Sequence, residues 1–184
     1  MNEQIIIRSE TSSDFKYVSE VTRSAFEDSG DLVAELVENI RGSTNYVPAL
    51  SLVAEVDGKI VGHIMMSHLN LDDGGQHHRV LTLSPISVAP EFQKKGVGSN
   101  LINEAIKRAD ELGEPLIVLE GSPKYYPRFG FKSVKEFGIH IDLPHWAPDE
   151  AAMVLPLSHY TPEFRGNVLY PPAFDKVNKE SHSR

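Results

Sequence analysis

The segment Gln93-Lys94-Lys95-Gly96-Val97-Gly98-Ser99 carries the residue types of an anion cradle. A strand-like run ending in Ile86-Ser87-Val88 leads through Ala89-Pro90-Glu91-Phe92 into this turn, whose glycines open a strongly amphipathic helix. The first backbone N–H groups of a helix lack intrahelical acceptors, and the macrodipole adds positive potential there. Two glycines let a ligand approach that backbone closely, and Lys94 and Lys95 stand beside it, so the chemistry indicated is pyrophosphate binding. A dinucleotide fingerprint needs a third glycine where Leu101 stands, and a P-loop needs a lysine followed by serine or threonine after the glycines. Both forms fail, which leaves the pattern Gln-x-x-Gly-x-Gly.

The elements that must hold this turn follow from periodicity. Gln4 to Arg8 reads as a first strand. Thr11 or Ser12 caps a helix carrying Phe15, Val18, Val21, Ala25 and Phe26, and a second helical stripe runs from Asp31 through Leu32, Val33, Leu36, Val37 and Ile40 to a stop at Gly42. Asp57-Gly58 between two apolar runs is a hairpin signal. Leu71 to His78 reads as a polar loop, and Val80 to Val88 as a strand broken at Ser84-Pro85, where a bulge or edge is expected. From Gly96 the helix places Val97, Leu101, Ile102, Ala105, Ile106, Ala109 and Leu112 on one face before Gly113. Pro115 to Glu120 reads as a buried strand, Tyr125-Tyr126-Pro127 as a turn or short helix, and Ala151 to Leu157 as a last strand. The expected fold class is α+β (an α/β mixed sheet), with one domain over 1–157 and a proline- and aromatic-rich tail over 158–184, to which no regular structure is assigned, packed on or extending from it.

Composition bounds the function. The chain has 184 residues, 40% of them hydrophobic, with no cysteine and a formal charge of −8. One real core fits that length. The lack of cysteine excludes a disulfide scaffold, cysteine-ligated zinc and a cysteine nucleophile, and fits a reducing compartment. No apolar run reaches the ~20 residues needed to span a bilayer. Met1-Asn2-Glu3-Gln4-Ile5 lacks the pattern of a leader, so the expected location is cytoplasmic. Such acidity argues against nucleic-acid binding and suits a cationic partner. Glu27, Asp28, Asp31, Glu35 and Glu38 have the right sign to attract an amine, although a solvated helix face is the plainer reading. His63 and His68 lie five apart and point to opposite faces, His77-His78 sit in a glycine-rich loop, and no metal-ligand spacing occurs, so no metal site is expected.

With its context, the turn resembles the acetyl-CoA pyrophosphate site of the GNAT superfamily of N-acetyltransferases, which lies between the fourth strand and the third helix. Strand Leu116 to Leu119 follows at the family's spacing, and Tyr126-Pro127-Arg128-Phe129-Gly130-Phe131 resembles its Tyr-x-x-x-Gly-Phe element. The resemblance covers roughly Ile5 to Leu157. Tyr125-Tyr126-x-Arg128-Phe129-Gly130-Phe131 and Tyr170-Pro171-Pro172-Ala173-Phe174 look like the predicted bacterial acetyltransferases of the YhbS-like group.

The resemblance implies a central, mostly antiparallel sheet flanked by helices, with splayed fourth and fifth strands. It implies acetyl-CoA as cosubstrate and direct attack on it by a primary amine, from a small molecule or a peptide. The backbones of Ile86, Ser87 and Val88 would pair with pantetheine and polarise the thioester carbonyl. Gln93, Lys94, Lys95, Gly96, Val97, Gly98 and Ser99 would hold the phosphates. Tyr126 takes the place of the general acid: a phenol of pKa ~10 is protonated at neutral pH and donates to a thiolate of pKa ~8.5. Tyr125 is its neighbouring alternative. Arg128 would meet a phosphate or pair at the surface. Glu120, at the end of the fifth strand, is the candidate base, and either it or Ser122 would otherwise cap a short helix at Pro123. A non-catalytic acyl-CoA-binding regulatory module is the alternative to the enzyme. No nucleic-acid or membrane partner is implied, and the protein would act as a monomer or homodimer.

Overall fold

The computed structural model describes residues 4–184, so the first three residues of the segment read as leaderless lie outside the described residues. Chain order runs β1 (Ile6–Ser9), α1 (Phe15–Ala25), α2 (Gly30–Arg41), β2 (Tyr46–Val56), β3 (Lys59–Asp73), β4 (Gln76–Val88), α3 (Val97–Glu111), β5 (Leu116–Glu120), β6 (Lys132–Ser133), β7 (Ile139–His140), β8 (Ala152–Pro156), β9 (Gly166–Leu169) and α4 (Asp175–Ser183), with short 3-10 turns between. The strands form a mixed sheet paired in the order β1-β2-β3-β4-β5-β8-β6, with β9 paired to β3 and β7. The chain divides into two compact units: the chain to Met66 with Ser84–Arg108, and Ser67–Leu83 with Ala109–Arg184.

In the first unit β1 runs antiparallel to β2, Ile6 opposite Glu55 and Ser9 opposite Leu52. Helices α1 and α2 bury the apolar positions that period 3.6 puts on one face, Val18 and Val21 on α1 and Val33, Leu36, Val37 and Ile40 on α2. Asp57 and Gly58 both take positive φ, 49° and 76°, as a tight hairpin turn requires. Gly62 on β3 decides where α3 lies. A Cβ there would stand 2.9 Å from Val97 Cγ1 and 3.0 Å from Leu101 Cδ1, so the first turns of α3 rest on bare β3 backbone.

In the second unit β4 pairs parallel with β5 at Leu81↔Ile117 and Thr82↔Val118. β5 continues antiparallel to β8 over five residue pairs, from Leu116↔Pro156 to Glu120↔Ala152. The core here gathers Leu69, Leu71, Val80, Leu116, Val118, Val134, Ile139, Ile141, Ala152 and Val154, with Phe137, Tyr160, Phe164 and Tyr170 packed against it.

Four local expectations are corrected. The polar stretch 71–78 is not a loop: β3 and β4 run on to a tight turn at Gly74-Gly75, both at positive φ. Strand β4 is continuous through Ser84 and Pro85, whose peptide is cis. The tail has regular structure, since β9 pairs with β3 from Asn70↔Leu169 to Asp72↔Asn167 and α4 follows. Leu112, placed on the buried face of α3, lies past the helix end and is 53% exposed.

Candidate active site

The glycine turn belongs to the first unit, and its backbone is unusual at two residues. Lys94 has φ +60° and Gly96 φ +90°, so the chain bends sharply before α3 begins at Val97. Asn100 N–H makes the first helical bond, 3.0 Å to Gly96 O. The N–H groups of Val97, Gly98 and Ser99 precede it and have no intrahelical acceptor. Nothing lies within 4 Å of the place a Gly96 side chain would occupy, which leaves room above the backbone for a ligand. Val97 is buried and pins the turn, whereas Lys94 and Lys95 are exposed. Lys95 Nζ rests 5.4 Å from the Phe92 ring centroid. The Gln93 side chain is spent internally: its Nε2 donates to Val88 O at 3.0 Å, tying the turn to the end of β4.

That end of β4 carries Ile86, Ser87 and Val88. Ser87 points inward, its hydroxyl 3.3 Å from Thr22 Oγ1 on α1, while Ile86 and Val88 are half-buried. Ala89 N–H bonds Val61 O at 2.9 Å. The ladder between β4 and β5 ends at Thr82↔Val118, before these three residues are reached.

The second unit holds Glu120 and Tyr126 close together. Tyr125 and Tyr126 N–H groups both bond Ser122 O, at 3.0 and 3.3 Å, in the tight turn that follows β5. This turn lays the Tyr126 ring on Gly121, where any Cβ would overlap it. Phe131 closes on the ring edge-on, with centroids 5.8 Å apart, and Tyr125 does so at 5.2 Å. Burial, reinforced by Tyr125, pushes the Tyr126 phenol up to about 12. Glu120 does not cap a helix. Ser122 Oγ accepts from Lys124 N–H at 3.4 Å instead, and the Glu120 carboxylate accepts the Tyr170 hydroxyl at 2.8 Å. Glu120 has solvent-accessible surface yet protein crowds it closely, and this desolvation raises its pKa. Arg128 stacks on Tyr125, Cζ 4.3 Å from the ring centroid, and its Nε donates to Tyr125 O at 2.9 Å.

The histidines are dispersed. His63 is buried in the first unit, His68 pairs with Glu114 at 2.7 Å, and His77 stands 3.4 Å from Asp72. Among the described residues no group of three or more His, Cys, Asp or Glu gathers as a metal site. Of the acidic residues on and before α2, Asp31 pairs with Arg23 and Glu38 with Arg41.

A family model described as an acetyltransferase (GNAT) domain matches residues 6–134, well over half the chain. The chain belongs to the GNAT acetyltransferase family. It is 37% identical over 122 residues to YjhQ of Escherichia coli K12, an uncharacterized N-acetyltransferase, and the match spans 65% of each chain. A GNAT acetyltransferase of Brucella melitensis, solved in complex with acetyl-CoA, is 31% identical and superposes with a TM-score of 0.75 over 95% of this chain and 100% of that one. YhbS of Escherichia coli, solved in complex with CoA, shares the fold with a TM-score of 0.84 at 24% identity, covering 95% of this chain and 94% of that one.

Two groupings in this GNAT chain were not legible beforehand. One surrounds Glu120 with Tyr170, Asp142 and His182. The Tyr170-Pro171-Pro172 run marked the segment but not its partner. The other is a buried network in the first unit. Arg41 Nε and Nη2 donate to the two oxygens of Glu10 at 3.0 and 2.7 Å, and Tyr46 and Ser51 hydroxyls donate to Glu10 Oε1 at 2.9 and 2.6 Å. His63 Nε2 donates to Ser51 Oγ at 3.1 Å, since the serine proton is already given to Glu10. Burial opposes the Glu10 charge, but the bonds from His63, Arg41 and Ser51 hold its carboxyl well below the usual range.

Proposed function

We propose that this GNAT chain is an acetyl-CoA-dependent N-acetyltransferase that passes an acetyl group to a primary amine by direct attack, without a covalent enzyme intermediate. The observation that carries the reading is the left-handed bend at Lys94 and Gly96, which opens the backbone at the head of α3 with free space above it. The cradle fits a pyrophosphate in sign and in room. The relatives solved with acetyl-CoA and with CoA support the choice of cofactor. Lys95 to Ser99 would hold the phosphates with Lys94 at the rim, Gln93 would fix the cradle to β4, and the unladdered Ile86, Ser87 and Val88 would offer backbone groups to the pantetheine arm.

Bound acetyl-CoA supplies the activated acetyl group. Glu120 takes one proton from the arriving ammonium, leaving the electron pair on nitrogen, and Tyr126 donates its hydroxyl proton to the departing sulfur. The second proton that nitrogen sheds as the amide forms returns the phenol to its starting state. The acceptor is a small-molecule or peptide amine rather than nucleic acid or a membrane surface, in keeping with the charge of −8. Absence of cysteine suits a cytoplasmic site of action. The β9 pairing with β3 supports reading residues 158–184 with the same acetyltransferase domain as 1–157, in a monomer or homodimer.

Calorimetric titration of acetyl-CoA into the wild type and Gly98→Glu tests this reading. A glutamate in the first turn favours the helix through the macrodipole, so the fold stays intact while bulk and charge exclude the anion. Binding to the wild type and at least a tenfold loss in the variant are expected. No wild-type binding refutes the cofactor. Binding without thiol release across a panel of amines decides for the regulatory module instead.

A further inference from the structure

Glu120 is held from the far end of the chain. Tyr170 follows β9, fifty residues on, and its hydroxyl donates to Glu120 Oε1 at 2.8 Å. The Tyr170 ring is fixed by packing on the second unit's core and by Phe174, which is fully buried with its centroid 5.2 Å away. Beyond it, the end of α4 is tied down by Trp146, whose Nε1 donates to Ser181 O at 2.9 Å. This places His182 Nε2 3.8 Å from Asp142 Oδ2. Three groups therefore act on Glu120 from the elements around it, Tyr170 from the tail, His182 from α4 and Asp142 after β7, while the Tyr126 ring covers the neighbouring Gly121.

We propose that Tyr170 is the positioning residue for Glu120: with Oε1 fixed by the tail phenol, Oε2 is the oxygen that takes the acceptor's proton. This rests on the assignment of Glu120 as base. In that step the ammonium N–H bond breaks, an O–H bond forms at Oε2, and the electron pair stays on nitrogen. Tyr170 is suited to a fixed donor role because burial beside Glu120 raises its own pKa well above 10, so it never ionises in the working range. A hydrogen bond to the ionised carboxylate favours that form, and His182 acts in the same direction, while desolvation and Asp142 oppose it. The C-terminal segment thus tunes the base rather than merely covering the sheet.

The test needs no known acceptor. In the full chain labelled with 13C-glutamate, the Glu120 carboxyl resonance is the one lost in Glu120→Gln. Its titration midpoint is compared in the wild type, Tyr170→Phe and Tyr160→Phe, the last removing a tail hydroxyl elsewhere on the same core. Tyr170→Phe should raise the midpoint by about one pH unit or more, as loss of a charge-assisted hydrogen bond requires. Tyr160→Phe should leave it in place. Acetyl-CoA binding should be unchanged in both, and the melting temperature of Tyr170→Phe should fall by only the few degrees that the pKa shift itself entails. A shift below about 0.3 unit in Tyr170→Phe, an equal shift in Tyr160→Phe, or loss of acetyl-CoA binding with Tyr170→Phe would overturn the proposal. Thiol release by Glu120→Gln reads the base assignment separately: full activity there removes the base even where the titration coupling to Tyr170 stands.

Discussion

Replacing Tyr126 by Phe removes one hydroxyl and little else. The ring lies on Gly121 between Tyr125 and Phe131, and phenylalanine keeps those contacts. The consequence follows from acidities. A phenol at about 12 is several units weaker as an acid than the thiol it must make, of pKa ~8.5, so complete transfer to give free tyrosinate would cost about 5 kcal/mol. As the proposed acid, Tyr126 would therefore act only in concert with sulfur departure, its proton replaced from the amine. Without it the donor is water, pKa ~15.7, weaker by nearly four units. With a Brønsted coefficient of ~0.5 the loss in kcat is about 10²-fold, the lower end for general acid catalysis. Thiol release, followed with a thiol-reactive chromophore and an amine that supports turnover, measures this. KM for acetyl-CoA should stay within about twofold of wild type, the mark of an interaction made only in the transition state. A kcat within about twofold of wild type would refute the acid role. An alkaline limb near pH 8–9 that vanishes in Tyr126→Phe would refute the raised pKa.

The packing of Gly62 and the state of His63 can be tested in the same preparations. Gly62→Ala drives a methyl against Val97 and Leu101 at the head of α3, and should cost about 1–3 kcal/mol in urea unfolding and weaken acetyl-CoA at least threefold by shifting the cradle; unchanged affinity would show that α3 yields without moving the turn. Burial lowers the His63 pKa below 6.5, so the unfolded chain binds its proton first. Stability from this group is therefore complete above about pH 6.5 and falls below it, by ~1.4 kcal/mol per pH unit while the imidazole stays neutral. Urea titrations between pH 7.5 and 5 should show this slope in the wild type and lose it in His63→Gln, and equal slopes would refute it.

Local signals read true where neighbouring residues decide the structure. Asp57-Gly58 gave its hairpin because two positive φ values in succession are a property of the turn itself. The turn from Gln93 to Gly96 before α3 was legible for the same reason, as was the apolar face of that helix through Ala109. Long-range pairing was not legible. Residues 71–78 alternate too many polar side chains to look like strand, yet β9 and the main ladder need those edges. The run Gly166-Asn167-Val168-Leu169 has only two apolar residues and owes its strand to β3 and β7. Glu120 reads in sequence as equally fit to cap a helix, because its partner Tyr170 lies fifty residues away. Lys94 took a left-handed conformation that sequence assigns by preference to glycine.

Two desolvated carboxylates, Glu10 and Glu120, differ in what their surroundings leave them able to do. Glu10 is deeper, its side chain 1% exposed, and by desolvation alone should be the one driven neutral. Instead a guanidinium grips both its oxygens and two hydroxyls also donate to Oε1, so its pKa is held well below the usual range. A carboxylate so satisfied has no proton affinity to use, and removing Arg41 would strand a buried charge. Glu120 receives a single neutral phenol, and desolvation wins. Its proton affinity is raised, and the Tyr126 ring lies over the adjacent Gly121. Environments that push titratable groups apart in this way divide their roles. By that criterion Glu120 is the carboxylate suited to the proposed role of proton acceptor, and Glu10 is a strut.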